Sequence, residues 1–429
     1  MPSSSLIHSI IIFTTCFIVH WVGSRNNGLT FDDKHTLLQN PIVKSSNIPS
    51  FKALMTSDYW GSKLDQHSHQ SFRPVTTISF WIDAGGNPSS LSSAKRLHTT
   101  NIIIHSINSV LIGKIASKHG ATKNYSILAS LYFAVHPVLT ESIANISGRA
   151  ELLGCLFGLS YYLLLTSTSL NLKTYTLFIV GIILSLLSTF SKESGFASTV
   201  IVIIYFWTKW KTYQSDDAKI KFFVATTIAG IVGSARVQFL KTSILGTTTS
   251  STAPLFNSID NPLTNQSLSF KSLVLSTGHI NVINLRLLFN PLPSSLCPDY
   301  SGKGCPIIDE IQDVKNLSTL LAIVFIIVIL FFIFYWGQNI GKGSNVNFNH
   351  YIASVVALCW WCIPMSIASN IFVHVGFCIA ARTLYSPLVG VVLLIFTKVL
   401  PCAAGRWRYV SSSRNIQWIF GIFGIILFV

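Results

Sequence analysis

This chain repeatedly runs for about 20 residues on apolar side chains, the length of helix that crosses roughly 30 Å of hydrocarbon, and polar loops separate the runs. Roughly eleven such windows can be drawn. Only 10% of the 429 residues are charged, 50% are hydrophobic and the mean hydropathy is +0.54. Soluble domains carry about 25% charged residues, so a cytosolic enzyme is excluded. Thirty Lys and Arg against fifteen acids give a net charge of +15. The basic residues are scattered singly, without the runs that track phosphates, which argues against nucleic acid as partner. Eight cysteines are too few for a disulfide scaffold and show no paired zinc spacing outside one apolar stretch. The expected fold class is an all-α polytopic membrane protein.

The first window, Leu6 to Val22, lacks a basic leader and a small-residue cleavage site, so it reads as a retained span. Others centre near Ile107, Phe133, Leu159, Ile182, Ile203, Thr226, Phe325, Val356, Val392 and Phe420. The resulting divisions are a first helix at 1–23, a luminal loop at 24–96, a transmembrane bundle at 97–241, a luminal or re-entrant segment at 242–316 and C-terminal helices at 317–429. Short cytoplasmic loops collect Lys and Arg. Lys114, Lys118 and Lys123, then Lys209, Lys211, Lys219 and Lys221, then Arg406, Arg408 and Arg414 share one side only if the polar stretch from Phe270 to Leu292 is re-entrant or interfacial rather than a simple crossing. The opposite side then holds the loops with chemistry. Sequons at Asn145 and Asn265 fall there, whereas that at Asn124 falls on the cytoplasmic side.

The first loop opens with Phe31-Asp32-Asp33. Two adjacent acids near a bilayer can share one task, one carboxylate taking a proton while its neighbour orients it; a solvated pair or a helix N-cap is the plainer alternative. Asp58-Tyr59-Trp60-Gly61 and the string ending Phe72-Arg73-Pro74 follow, and aromatic pairs beside glycine suit sugar stacking or interfacial anchoring. At later boundaries stand His136-Pro137 with Glu141, Gly148-Arg149-Ala150-Glu151, Ser191-Lys192-Glu193 and Ala381-Arg382. Ionisable residues at membrane depth are costly and face protein or an aqueous cavity, and these strings share the side of Asp32 and Asp33. Cys359-Trp-Trp-Cys362 lies in an apolar stretch and reads as packing; Cys297 and Cys305 are candidates for a luminal disulfide. No Walker loop, HExxH helix or GxSxG elbow is present.

In order, FDD, DYWG with SFRPVTTISF, FAVHPVLTESIANISGRAELL, FSKESGF, LFNPLPSSLCPDYSGKGCPIIDEIQDVKN and ASNIFVHVGFCIAARTLYSP resemble the transmembrane and tetratricopeptide-repeat (TMTC) family. The resemblance implies an endoplasmic-reticulum protein O-mannosyltransferase of GT-C architecture. It also implies dolichyl-phosphate mannose as donor and Ser or Thr hydroxyls of cadherin-type domains as acceptors. Two departures stand out. Ala381 occupies the place where the family typically has Glu before its Arg, and no 34-residue repeat pattern precedes the last residue, Val429. The expectation is therefore a fragment, an early stop or a divergent member.

On this reading Asp32 or Asp33 is the base. Arg382 is the first choice for holding the leaving phosphate, with Arg149 and Lys192 behind it. Glu141, Glu193 and His136 position sugar hydroxyls or orient the basic groups, and Asp58, Trp60 and Arg73 lie on a loop suited to the acceptor. A single displacement inverts the sugar, and since phosphate is a good leaving group the chemistry calls for no metal or cofactor. The rivals are a non-catalytic membrane scaffold of the same fold and a secondary transporter.

Overall fold

The computed structural model describes residues 4–24, 28–30, 32–64, 71–167, 174–244, 261–265, 267–289, 306–338, 345–372 and 374–403. Phe31, Cys297 and Cys305, Arg406, Arg408 and Arg414, and the window near Phe420 lie outside them. The principal helices are α1 (Ser4–Ser24), α2 (Phe51–Thr56), α3 (Pro74–Ala84), α4 (Leu91–Lys118), α5 (Lys123–Val135), α6 (Thr140–Ala144), α7 (Arg149–Thr166), α8 (Thr174–Ser191), α9 (Ala197–Tyr213), α10 (Asp216–Ile244), α11 (Phe270–Phe289), α12 (Lys315–Gln338), α13 (Asn345–Ala368) and α14 (Tyr385–Leu394). Among the described residues the chain is helical apart from loops and one isolated bridge, Ser57 to Lys63. Each expected window centre from Ile107 to Val392 falls inside one of these helices.

Among the described residues, five helices are long and apolar enough to cross a membrane, or six if the pair Lys123–Val135 and Pro137–Ala144, bent by 46°, counts as one span. This is a helical membrane protein. Fewer helices pass than the sequence windows suggest because the inner helices are polar where protein covers them. Asn101, His105, Ser106, Asn108 and Ser109 on α4 are all completely buried, so their side chains meet partners rather than lipid. Helix α11 is a single unbroken helix of 20 residues that is itself long enough to cross. Its polar residues sit on that one uninterrupted helix. Ser272, Ser276 and Asn284 are buried there.

Two compact units divide the chain: Met1–Ile112 with Leu139–Leu255, and Gly113–Val138 with Phe256–Val429. In the first, α7, α8, α9 and α10 pack on one another and α3 leans on α8 and α7. Pro74 starts α3, where its missing N–H costs nothing, and Gly85 ends it in the left-handed region at φ 56°. Above these helices a small core of Leu37, Val43, Tyr59, Phe80, Ala84, Leu97 and Ile146 fastens the first loop to the loop before α7. Gly61 turns the first loop at φ +85°, and a Cβ there would lie 2.5 Å from Asn40 Oδ1, so no other residue fits.

In the second unit α13 packs along α14, and a Cβ on Gly390 would overlap the Trp361 backbone. Small residues of this kind let helices approach closely where lipid supplies no hydrophobic drive. The side chain of Asn261 donates to Val375 O at 2.7 Å and to Asn370 Oδ1 at 3.0 Å. It thereby holds the turn that leads into Arg382.

Candidate active site

Asp32 and Asp33 part company in the fold. A short helix, Lys34–Leu38, follows α1 in the sequence with Asp33 at its N-cap position, yet the Asp33 side chain does not cap it. The carboxylate instead accepts Ser147 N–H at 2.8 Å and Thr30 N–H at 3.1 Å, and the residue is 0% exposed. Burial raises its pKa from 3.8 to about 6, although the backbone donors pull the other way. Asp32 is half-buried, and its carbonyl receives Thr36 N–H at 3.0 Å. One acid is locked into the loop junction and the other stands at its edge.

The DYWG string builds the neighbouring wall. Asp58 Oδ1 accepts the N–H groups of Trp60 and Ser62 at 3.0 and 2.9 Å, a side-chain-closed turn. Tyr59 is the buried aromatic and donates its hydroxyl to Ser147 O at 2.7 Å, whereas Trp60 stays half-buried against His35. Sequence reading singled out Asp58 and Trp60; the fold uses the first as a turn-former and places Tyr59 on the inside. The Arg73 guanidinium lies over the Tyr59 ring at 4.8 Å, a cation–π contact.

Glu193 stands between two arginines. Its Oε2 takes Arg73 Nη2 at 2.9 Å and its Oε1 takes Arg236 Nη2 at 2.9 Å. Arg236 also donates to Thr189 O at 2.8 Å and Phe72 O at 3.2 Å. Burial alone would raise the Glu193 pKa, but Arg73 and Arg236 overcome it and hold the carboxyl at about 2. Burial works against the charge on Arg73 as well, and there too Glu193, with smaller help from Tyr59 and Asp32, reverses the balance and raises its pKa. Two guanidiniums against one carboxylate leave one surplus positive charge.

Arg149 and Lys192 are spent differently. Arg149 is fully buried, pairs with Asp83 at 2.6 Å, and donates to Asn101 Oδ1, Ser79 O and Leu97 O at 2.8, 3.1 and 2.8 Å. Its guanidinium faces protein on every side, so it braces α3 and α4 against α7 and has no face to offer a lipid phosphate. Lys192 pairs with Glu151, which is 2% exposed. Each of these pairs is neutral, which leaves the surplus charge with Arg73 and Arg236. Glu141 is half-buried in the first turn of α6.

Two expected site residues belong to the second unit. Arg382 lies in a single tight turn, Ala381–Leu384, half-buried, with its guanidinium 5.7 Å from the Phe377 ring. His136 is buried at the bend after α5 and meets the Tyr132 ring edge to face at 5.2 Å.

The family described as "Protein O-mannosyl-transferase TMTC, DUF1736" matches residues 250–327. Human "Protein O-mannosyl-transferase TMTC3" is 28% identical over 429 residues, 95% of this chain and 43% of its own length. The Caenorhabditis elegans "Protein O-mannosyl-transferase F38B6.6" is 30% identical over 92% of this chain and 52% of its own. Over most of its length the chain is similar to the TMTC family. It spans about half the length of the curated relatives it matches, since human "Protein O-mannosyl-transferase TMTC4", 27% identical, is covered over 56%. No solved structure matches.

The TMTC-matched segment includes Asn261 and the whole of α11, and Asn261 is the residue that ties it to the turn before Arg382. Sequence reasoning missed Asp83 and Arg236. Asp83 is the one charge of α3 and Arg236 stands apart from the other charges of α10, and neither forms a motif with its neighbours. The available signal was their isolation, because a lone ionisable residue at membrane depth implies a partner elsewhere.

Proposed function

We propose that this chain transfers mannose from dolichyl-phosphate mannose to Ser or Thr hydroxyls of secretory-pathway proteins, cadherin-like domains among them. In this reading it works in the endoplasmic-reticulum membrane, with GT-C architecture and roughly eleven spans. The observation that carries it is the juxtaposition, within one unit, of a half-buried acid, a locked acid beside it, and an arginine pair of net positive charge. Asp32 takes the proton of the acceptor hydroxyl while that oxygen attacks the anomeric carbon. The bond from that carbon to the phosphate oxygen breaks, its electron pair leaves on dolichyl phosphate, and the sugar inverts. Asp33 fixes the loop that carries Asp32. Arg73 and Arg236 favour the phosphate as its charge grows, since preorganised cations in a site of low dielectric act where charge develops. Glu193 sets their spacing. The expected role of Arg382 in holding phosphate is a separate proposal, read by its own variant, Arg382→Ala.

The test is transfer of mannose from dolichyl-phosphate mannose to a cadherin-type domain by the purified chain in liposomes. Inverted mannosyl-Ser or mannosyl-Thr product, lost in Asp32→Asn and Arg382→Ala, supports the reading. A folded chain that makes no product with any acceptor points to the scaffold instead.

A further inference from the structure

A separate group of reactive side chains lies lower in the first unit. Cys16 and His20 stand four residues apart on α1 and so share a face, and His105 comes from α4. Their ligand atoms lie within 4.8 Å of one another. The rings of His20 and His105 meet edge to face with centroids 5.0 Å apart, and Cys16 and His105 are fully buried. Among the described residues this is the group of three that can converge on one metal ion.

We propose that Cys16, His20 and His105 bind one Cu(I) ion and that the ion clamps α1 to α4. Thiolate and imidazole are soft or intermediate donors that suit Cu(I) and Zn(II). With metal–ligand bonds near 2.0–2.3 Å, donors around a shared ion lie about 3.5 Å apart, so modest side-chain rotations close the observed spacing. Binding releases the thiol proton to water. One thiolate and a monovalent cation then make a neutral unit, whereas a divalent ion leaves net positive charge in apolar surroundings, where charge is costly. Three donors complete a trigonal Cu(I) site, while structural zinc takes four.

The position explains why such a bond is useful. Along α1 the buried side chains are Ile12 and Cys16, and Ile10, Ile11, Ile18 and Val22 are about half exposed. A seam this narrow has little to hold it in lipid, where apolar contact between helices gains almost nothing over contact with acyl chains. The clamp steadies the helix that leads into Asp32.

The full chain in detergent micelles is titrated with Cu(I) under anaerobic reducing conditions against a chromophoric Cu(I) chelator, and separately with Zn(II). Thiols are then alkylated and mapped by mass spectrometry. One equivalent of Cu(I) is expected, with Cys16, already buried without the ion, alkylated more slowly in the Cu(I)-loaded chain than in the metal-free chain, a comparison that does not depend on any variant folding. Cys16→Ser and His105→Gln are expected to weaken Cu(I) binding by roughly 100-fold or more, since even outer-sphere changes cost 10–100-fold. Protection of Cys359 and Cys362 in place of Cys16, binding unchanged in both variants, or preference for Zn(II) would overturn the assignment. None of these readouts depends on mannosyl transfer.

Discussion

Asp33 accepts the backbone N–H of Ser147 at 2.8 Å across 114 residues of sequence. With the Tyr59 hydroxyl on Ser147 O at 2.7 Å, both sides of one peptide-bearing residue are held by the first loop. The loop after α1 and the loop before α7 are therefore tied together, and Asp33 and Tyr59 hold the backbone that carries Asp32.

Asp32→Asn should lower the turnover number for mannosyl transfer by roughly 100- to 10,000-fold, the usual contribution of a general base, with a much smaller change in KM for the donor. Purification with an unchanged melting temperature checks that the fold survives. Full activity in this variant would remove Asp32 from the reaction.

Asp33→Asn separates stability from catalysis. The folded pKa of about 6 lies above the ordinary 3.8, so protonated Asp33 favours the fold below pH 4 and that contribution is lost as pH rises through 6. Asparagine keeps an acceptor oxygen and carries no charge. Its amide –NH2 faces one of the two N–H donors that the carboxylate accepts on separate oxygens, which costs about 1–3 kcal/mol and offsets the relief of the buried charge, so the variant should melt close to the wild-type temperature at pH 7 while its stability varies less between pH 4 and 6. Thermal melts in detergent across that range decide it.

Arg149→Met should destabilise strongly, by about 3–5 kcal/mol, because it leaves the Asp83 carboxylate without its cation inside the protein. Removing both members, as Arg149→Met with Asp83→Leu, should recover most of the loss. Were Arg149 a phosphate ligand rather than a brace, the double variant would fold no better than the single one, and donor binding would be the quantity that suffers.

Glu193→Gln should cost about 1–3 kcal/mol, discounted because its side chain keeps 32% of its exposure to solvent. The wild-type carboxyl at about 2 lies below the ordinary 4.5. Its stabilising contribution is present above pH 4.5 and fades only as pH falls toward 2, so the variant's deficit should be constant from pH 5 to 8. A deficit that grows across this interval would mean that the arginines do not hold the carboxyl ionised.

The sequons divide by structure rather than by sequence. Asn265 and Asn124 are exposed, but Asn145 is buried and its Oδ1 accepts Ser147 N–H and the Ser147 hydroxyl at 3.2 and 2.8 Å. Of these three, a glycan is expected on Asn265 alone, as read by glycosidase-sensitive mass shifts in single-sequon variants. Modification of Asn124 would invert the proposed sidedness.

Much of this was legible in the sequence because helix length and hydropathy are local properties. The helices around Leu159, Ile182 and Ile203 stand where apolar runs require them. The acids at 32–33 and the charged strings around Arg149, Lys192 and Glu193 announced themselves by breaking that background. Their pairing did not. Arg149 finds Asp83, Lys192 finds Glu151 and Glu193 finds Arg73 and Arg236, and no spacing rule links residues that meet only after helices pack. The polar face of α4 was hidden for the same reason. Its histidines and asparagines lower the hydropathy of a helix whose surroundings are protein.

Glu193 also has a history on the ribosome. Its partner Arg73 precedes it by 120 residues and Arg236 follows it by 43, so during synthesis the carboxylate reaches the bilayer with one of its two cations already made and the other still to come. Without Arg236 of α10, Glu193 and Arg73 make a one-to-one pair, which on the proposed function lacks the surplus charge that a lipid phosphate would need. On the proposed function, competence for the donor would thus be contingent on the arrival of the tenth helix.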